Sequence, residues 1–189
     1  KPKSKNSING LIGIQPGENE TVQFTGNVAL SFQNALSYGE VLKINWRRMF
    51  NSSQNLIAEV SYPFLFKTNF EIQGGLDMIK KDSSFFNFNS KLVVNYKSNT
   101  NLSYGFLFTN NNSTNLLEKD YTSTSVNSFG FTTNIKKIDN RFNPTKGFII
   151  KSEIAYGWKE SYSIDTLADN LIKSPNFNGN INISTYLNF

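Results

Sequence analysis

Ten short stretches of this chain alternate apolar and polar residues with a period of two. Successive side chains of a strand point to opposite faces, so each stretch divides two different environments. The cleanest stretch places Val22, Phe24, Gly26, Val28, Leu30 and Phe32 on one face. Gln23, Thr25, Asn27, Ser31 and Gln33 fall on the other, with Ala29 the only apolar member. Leu42, Ile44 and Trp46 then oppose Lys43, Asn45 and Arg47. Leu56, Ala58, Val60 and Tyr62 oppose Glu59 and Ser61, with Ile57 as an exception. Phe70, Ile72, Leu76 and Met78 oppose Glu71, Gln73 and Asp77, and Phe86, Phe88, Leu92, Val94 and Tyr96 oppose Asn87, Asn89, Lys91 and Asn95. Leu102, Tyr104, Phe106 and Phe108 mark a seventh strand, Phe129, Phe131 and Ile135 an eighth. Phe148, Ile150, Ile154, Tyr156 and Trp158 mark a ninth, and Phe177, Ile181, Ile183, Leu187 and Phe189 a tenth. A weaker, Gly-containing first strand is expected from Ser7 to Ile14.

Two structures produce such a pattern. A soluble β-sandwich hides the apolar faces of two sheets in a core, whereas a membrane β-barrel turns one apolar face to lipid and keeps a polar interior. Three features favour the barrel. The stretches match the roughly 9–11 residues that a tilted strand needs to cross a bilayer. Trp46, Tyr62, Tyr96, Tyr104 and Trp158 sit near strand ends, where an interfacial aromatic girdle belongs. The second face is polar and carries charges. Composition agrees: 17 Phe and 8 Tyr occur in a chain whose mean hydropathy is nonetheless −0.38. The expected fold is therefore all-β, an antiparallel up-and-down transmembrane barrel.

Composition also removes whole classes of chemistry. With no Cys, disulfides and thiolate metal sites are excluded, and with no His the commonest general base and metal ligand is missing. The acidic residues Glu59, Glu71, Asp77 and Glu153 lie on the inferred inner face, where Lys43, Arg47, Lys91 and Lys151 can neutralise them. A charge-lined lumen accounts for them more simply than catalysis does. No Ser-centred elbow and no phosphate-cradling Gly loop is present. The expectation is no enzyme, no catalytic residue, no cofactor and no metal. The net charge of +5 comes without a basic stripe interleaved with stacking aromatics, so nucleic acid is not an expected partner. No apolar run is long enough for a transmembrane helix.

Connections are expected to alternate in length. Ala35–Gly39, Pro63–Lys67 and Lys97–Thr100 read as compact; Asn111–Thr124 and Lys159–Pro175 read as long, polar loops. Since bacterial barrels have short periplasmic turns and longer outer loops, the first strand should rise from the periplasm. Glu118, Asp120, Asp165 and Asp169 in the long loops suit solvated surface better than a calcium site, because their spacing matches no ordered ligand loop.

The connection before the ninth strand is the most specific segment: Asp139-Asn140-Arg141-Phe142-Asn143-Pro144-Thr145-Lys146-Gly147-Phe148. Pro144 suits a turn, and Gly147 supplies freedom where the next strand begins. The segment resembles the Asp-x-Arg-x-x-Pro-Thr-x-Gly-(aromatic) signature of the BamA/TamA superfamily of outer-membrane assembly and translocation barrels, in which it links the eighth and ninth of sixteen strands. The Tyr62-Pro63-Phe64 corner after the fourth strand resembles the family's Pro-(aromatic)-(aromatic) corner at the same place. The resemblance carries over to Asp139, Arg141, Pro144, Thr145 and Gly147 as the family turn.

The resemblance implies an N-terminal segment of a larger barrel: residues 1–6 as a lead-in and 7–189 as strands one to ten of sixteen, with no second domain. It implies a bacterial outer-membrane protein that inserts or translocates others through a weak lateral seam at its first strand. Ile8, Gly10, Leu11, Ile12, Gly13 and Ile14 would form that seam. Implied partners are outer-membrane lipid, unfolded β-barrel clients and accessory lipoproteins that would act through a periplasmic region. The competing expectation is a passive channel formed by a complete ten-stranded barrel.

Overall fold

A computed structural model of the chain describes residues 5–16, 22–49, 53–82, 84–115, 122–140, 143–165 and 168–186. Ten strands follow one another: β1 Lys5–Pro16, β2 Val22–Gln33, β3 Val41–Arg48, β4 Gln54–Tyr62, β5 Phe70–Lys81, β6 Phe85–Lys97, β7 Leu102–Asn115, β8 Thr122–Ile138, β9 Gly147–Asp165 and β10 Ala168–Tyr186. They form a single antiparallel sheet in sequence order, β1 to β10. It is an up-and-down meander, not closed, and compatible with a barrel. A one-turn 3-10 helix, Leu65–Lys67, lies between β4 and β5. A sandwich would need a second sheet packed on the first. All ten strands instead share one layer, so the apolar face is left uncovered by any described residue.

The register shows that the alternation was read in phase. Leu30, Ile44, Ala58 and Leu76 lie side by side, as do Phe106 and Phe131, and Phe129 and Tyr156. Phe106 and Phe131 remain 66% and 63% exposed on this face. The polar face is the better covered one: Val93, Leu107, Ala155 and Ser128, all on it, are buried. In one layer that difference requires curvature with the polar face concave. A contact between distant strands requires it too. Lys91 of β6 bonds both carboxylate oxygens of Glu153 of β9 at 2.8 and 2.7 Å. Three strand spacings of about 4.8 Å and the offset along the strands would hold them apart on a flat sheet.

Glycines on the concave face permit the bend. Gly105, Gly130 and Gly157 stand on β7, β8 and β9, each two residues further along the register than the last. At each, an added Cβ would run into a carbonyl oxygen of a neighbouring strand. Such diagonal glycine lines let a sheet turn a corner that side chains would block. Gly105 also leaves a gap through which Thr132 Oγ1 of β8 donates to Asn95 Oδ1 of β6 at 2.9 Å, across the intervening strand.

Rings mark two edges of the apolar band. On one side lie Tyr38 with Tyr62 (5.8 Å between centroids) and Phe70, Tyr96 and Tyr104 in succession (5.1 and 5.6 Å). On the other lie Phe108, Phe129 and Trp158 (4.9 and 6.1 Å). Past this second row the same face turns polar: Asn110, Asn112 and Thr114 on β7, Asn127, Ser125 and Ser123 on β8, Glu160 on β9 and Lys173 on β10. Asn110 donates to Asn127 at 2.7 Å, and Lys173 pairs with Glu160 at 2.7 Å.

This extension corrects the expected connections. Asn111–Thr124 and Lys159–Pro175 are not long loops. β7 runs to Asn115 and β8 starts at Thr122; β9 runs to Asp165 and β10 starts at Ala168. Asp165 and Asp169 therefore lie within strands, while Glu118 and Asp120 fall outside the described residues. Beyond the apolar band the two faces no longer differ in polarity (both are polar on β7, and on β10 Leu171 and Ile172 fall on opposite faces), so the period-two signal disappears although backbone pairing continues. The contrast between short turns and long loops falls with it, because the β2–β3, β4–β5 and β8–β9 connections span 34–40, 63–69 and 139–146. What separates the two ends is that β7 to β10 project past the apolar band at one of them. We call that the hairpin end and the other the turn end. Lys5 and Asn6, expected in the lead-in, belong to β1.

Gly105→Ala should destabilise the chain by about 1–3 kcal/mol by forcing β6 and β7 apart. Thr132→Val, which removes only the hydrogen bond, should cost about 1 kcal/mol. Urea titration of the refolded chain would compare them; equal costs would remove the steric role assigned to Gly105.

Candidate functional site: a free strand edge and the Asp139 turn

β1 pairs with β2 along its whole length, from Lys5 opposite Gln33 to Pro16 opposite Val22. Its other side has no strand among the described residues. An edge strand presents a row of unpaired N–H and C=O groups, which is a template for another strand. Ile8, Ile12 and Ile14 extend the apolar convex face, and Leu11 adds an apolar side chain to the concave one. These four are 68–76% exposed, the highest run in any strand. All six residues expected at the seam thus lie on the free edge strand. Gly10 has ordinary room for a side chain, its nearest neighbours being Asn27 O at 3.7 Å and Val28 Cγ2 at 3.9 Å from a built Cβ. Packing alone does not call for glycine there.

The concave face beside it is polar and charge-paired. Glu71 accepts from Ser61 Oγ at 3.2 Å and Gln73 Nε2 at 3.1 Å, and pairs with Lys97 at 2.8 Å. Lys97 Nζ also stands 5.4 Å from the centre of the Phe64 ring. Glu153 pairs with Lys91, one of the neutralising residues expected from the sequence. The Lys97 pairing went unforeseen. Its signal was the even spacing that puts Lys97 and Asn95, the register partner of Glu71, on one face. Lys43 and Glu59 stand directly opposite each other in the register, on the concave face.

The Asp139 turn is a staple closed by its own carboxylate. Thr145 Oγ1 donates to Asp139 Oδ2 at 2.6 Å, and the Thr145 and Lys146 N–H groups each donate to Oδ1 at 3.0 Å. Asp139 N–H donates to the Lys146 carbonyl at 3.1 Å, and Asn143 N–H donates to Asn140 Oδ1 at 3.4 Å. Gly147 has φ +119°, and a Cβ there would strike Lys137 O, so glycine is required twice over. Pro144 lies in the turn, half-buried. Arg141 and Phe142 lie outside the described residues. Asp139 and Thr145 are thus brought together, while the seam residues lie on a strand eight positions away in the sheet. At the same end, the Leu36 and Tyr38 N–H groups donate to the Glu40 carboxylate, the second at 3.1 Å.

No known protein family, curated protein or solved structure matches the chain.

The donors around Asp139, the Thr145 hydroxyl first, hold its carboxyl well below the ordinary value of 3.8. A carboxylate depressed in the folded state stabilises it fully above the unfolded value, and this is lost as pH falls through the folded one. Asp139→Asn should therefore be less stable than the parent at neutral pH, with a gap that narrows from about pH 4 down to about pH 2. Urea midpoints across that range would show it; a gap that stays constant would mean the carboxylate charge does not hold the turn.

Proposed function

We propose that the chain is part of a bacterial outer-membrane β-barrel of the assembly and translocation type, whose first strand offers its free edge to incoming strands. The observation that carries this reading is β1: twelve residues paired on one side only, apolar on both faces near its middle, and exposed throughout except at Gly13. A client strand that adds to this edge gains main-chain hydrogen bonds with little demand on its sequence. The resemblance of Asp139–Gly147 and of the Tyr62-Pro63-Phe64 corner to the BamA/TamA superfamily supports the same reading. So does the agreement in strand number at both places. A passive ten-stranded channel would need β1 joined to β10; in the described residues β1 pairs only with β2 and β10 only with β9.

The uncovered apolar face, bounded by two rows of aromatic rings, supports lipid as its surroundings, since rings with one apolar and one polar side gather at bilayer interfaces. The strands that run past the hairpin-end row match the outer side of such a barrel, and this supports an orientation with the turn end toward the periplasm. Phe131→Lys, in the middle of the apolar band, should lower the unfolding free energy in lipid vesicles by about 2–4 kcal/mol. Asn180→Lys, on the concave face opposite Glu153, should change it by less than about 1 kcal/mol. The same small cost for both would remove lipid from the convex face.

The seam itself is tested in cells with a photo-reactive residue at Asn9 or Gly13, and a control at Asn89 on the interior strand β6. Newly made outer-membrane proteins should crosslink to β1 and not to β6. Gly10→Val, which packing tolerates and which stiffens the strand, should slow their insertion. Equal crosslinking at all three positions, or unchanged insertion with Gly10→Val, would rule out β1 as the receiving edge.

A further inference from the structure

At the hairpin end of β3, β4 and β5 the apolar band finishes in one row, Trp46, Leu56 and Met78, while on β6 it runs from Phe88 one step further to Phe86, beside Lys80. The next row on the same convex face begins Arg48, Gln54, Lys80. Two cations and an amide therefore stand side by side immediately above an apolar surface. Arg48 and Lys80 are two strand spacings apart, about 10 Å between backbones, which their long side chains can close onto one small anion. Neither makes an ion pair with a described residue. The Nε of Arg48 is buried and has no hydrogen-bond partner. A buried donor without an acceptor is costly, more so on a charged group. Further round the same face the situation is different, for Lys173 has Glu160. The nearest carboxylate along the strand from Lys80 is Asp82, in the left-handed turn that follows β5.

We propose that Arg48, Gln54 and Lys80 bind the phosphate of a lipid headgroup. This rests on the membrane reading above. Guanidinium and ammonium groups on phosphate oxygens form strong charge-assisted hydrogen bonds, and turning the Arg48 side chain toward the anion takes its Nε–H out of a buried position in which it has no acceptor. A lipid is favoured over a free anion by continuity: the acyl chains of a lipid whose phosphate sits on this row lie along Trp46, Leu56 and Met78. Basic residues at a bilayer surface commonly meet anionic headgroups.

The test uses the full chain refolded in an uncharged detergent, with Trp158→Phe so that Trp46, two residues from Arg48, is the only fluorophore of its kind. The probes are phosphatidic acid, diacylglycerol with the same acyl chains, and inorganic phosphate. Phosphatidic acid should shift Trp46 emission saturably, and R48Q/K80Q should weaken this at least about tenfold, the effect of losing about 1.4 kcal/mol. K43Q/R47Q removes the same charge from the concave face of β3 and should bind as the parent does. Circular dichroism checks that both variants are folded. The site is overturned if diacylglycerol binds as well as phosphatidic acid, if R48Q/K80Q binds like the parent, or if both variants weaken alike. Saturation by inorganic phosphate at the same concentration would overturn the lipid as its occupant. Flotation of the parent chain with vesicles separates the two readings. Failure to float overturns the membrane reading, whereas flotation with phosphatidic acid binding unaffected by R48Q/K80Q overturns this site alone.

Discussion

Every strand here obtains its hydrogen bonds from its sequence neighbours, and nothing among the described residues covers the sheet they make. A single layer satisfies the backbone but has no second layer against which to bury an apolar face. That constraint organises the molecule. The convex face is apolar and exposed, and the concave face carries polar groups that gain partners as the sheet curls. The result inverts the usual soluble protein, in which polar groups face out and apolar ones in. It also explains why the buried hydrophobic residues among those described are few and modest, Val93, Leu107 and Ala155. They sit where curvature crowds the concave wall and do not form a conventional core.

Curvature in turn depends on residues that contribute little surface. The glycines of β7, β8 and β9 allow backbones to approach where a methyl group would collide. Lys91 and Glu153, and Thr132 and Asn95, then span the concavity. Both partners of the ion pair are more than one-third exposed, so it adds little stability by itself. Its value lies in position: it ties β6 to β9 without help from the strands between.

Much of this architecture was legible in the sequence, and the failures have one cause. β2 alternates almost perfectly from Val22 to Gln33, and its strand, face and register follow directly. The same rule found every strand where one face is apolar and the other polar. It lost β7 after Phe108 and β9 after Trp158, because Asn112 faces one way and Ser113 the other with no contrast in polarity. Pairing continues there through backbone bonds that leave no periodic mark. The argument for orientation from loop length lost its premise for that reason, because the two connections it used are largely strand. At the Asp139 turn the residues were singled out, and Gly147 and Pro144 were understood. The hydroxyl of Thr145 as the partner that closes the staple was not, since a spacing of six residues implies contact only once the turn conformation is known. Lys97 and Arg48 show the same limit: alternation assigns a side chain to a face, while its partner, or lack of one, is set by the neighbouring strands.

The meander order has a kinetic meaning as well. Since each strand bonds only to those beside it in sequence, the sheet can be laid down hairpin by hairpin, each addition closing only the loop that precedes it. No completed pair must open for the next to form, and the link between Lys91 and Glu153 is made only after β9 has joined. Any hairpin can start the sheet, and each strand that joins needs only a neighbour already in place. Whatever the order, β1 keeps one unsaturated edge among the described residues when all ten strands are paired.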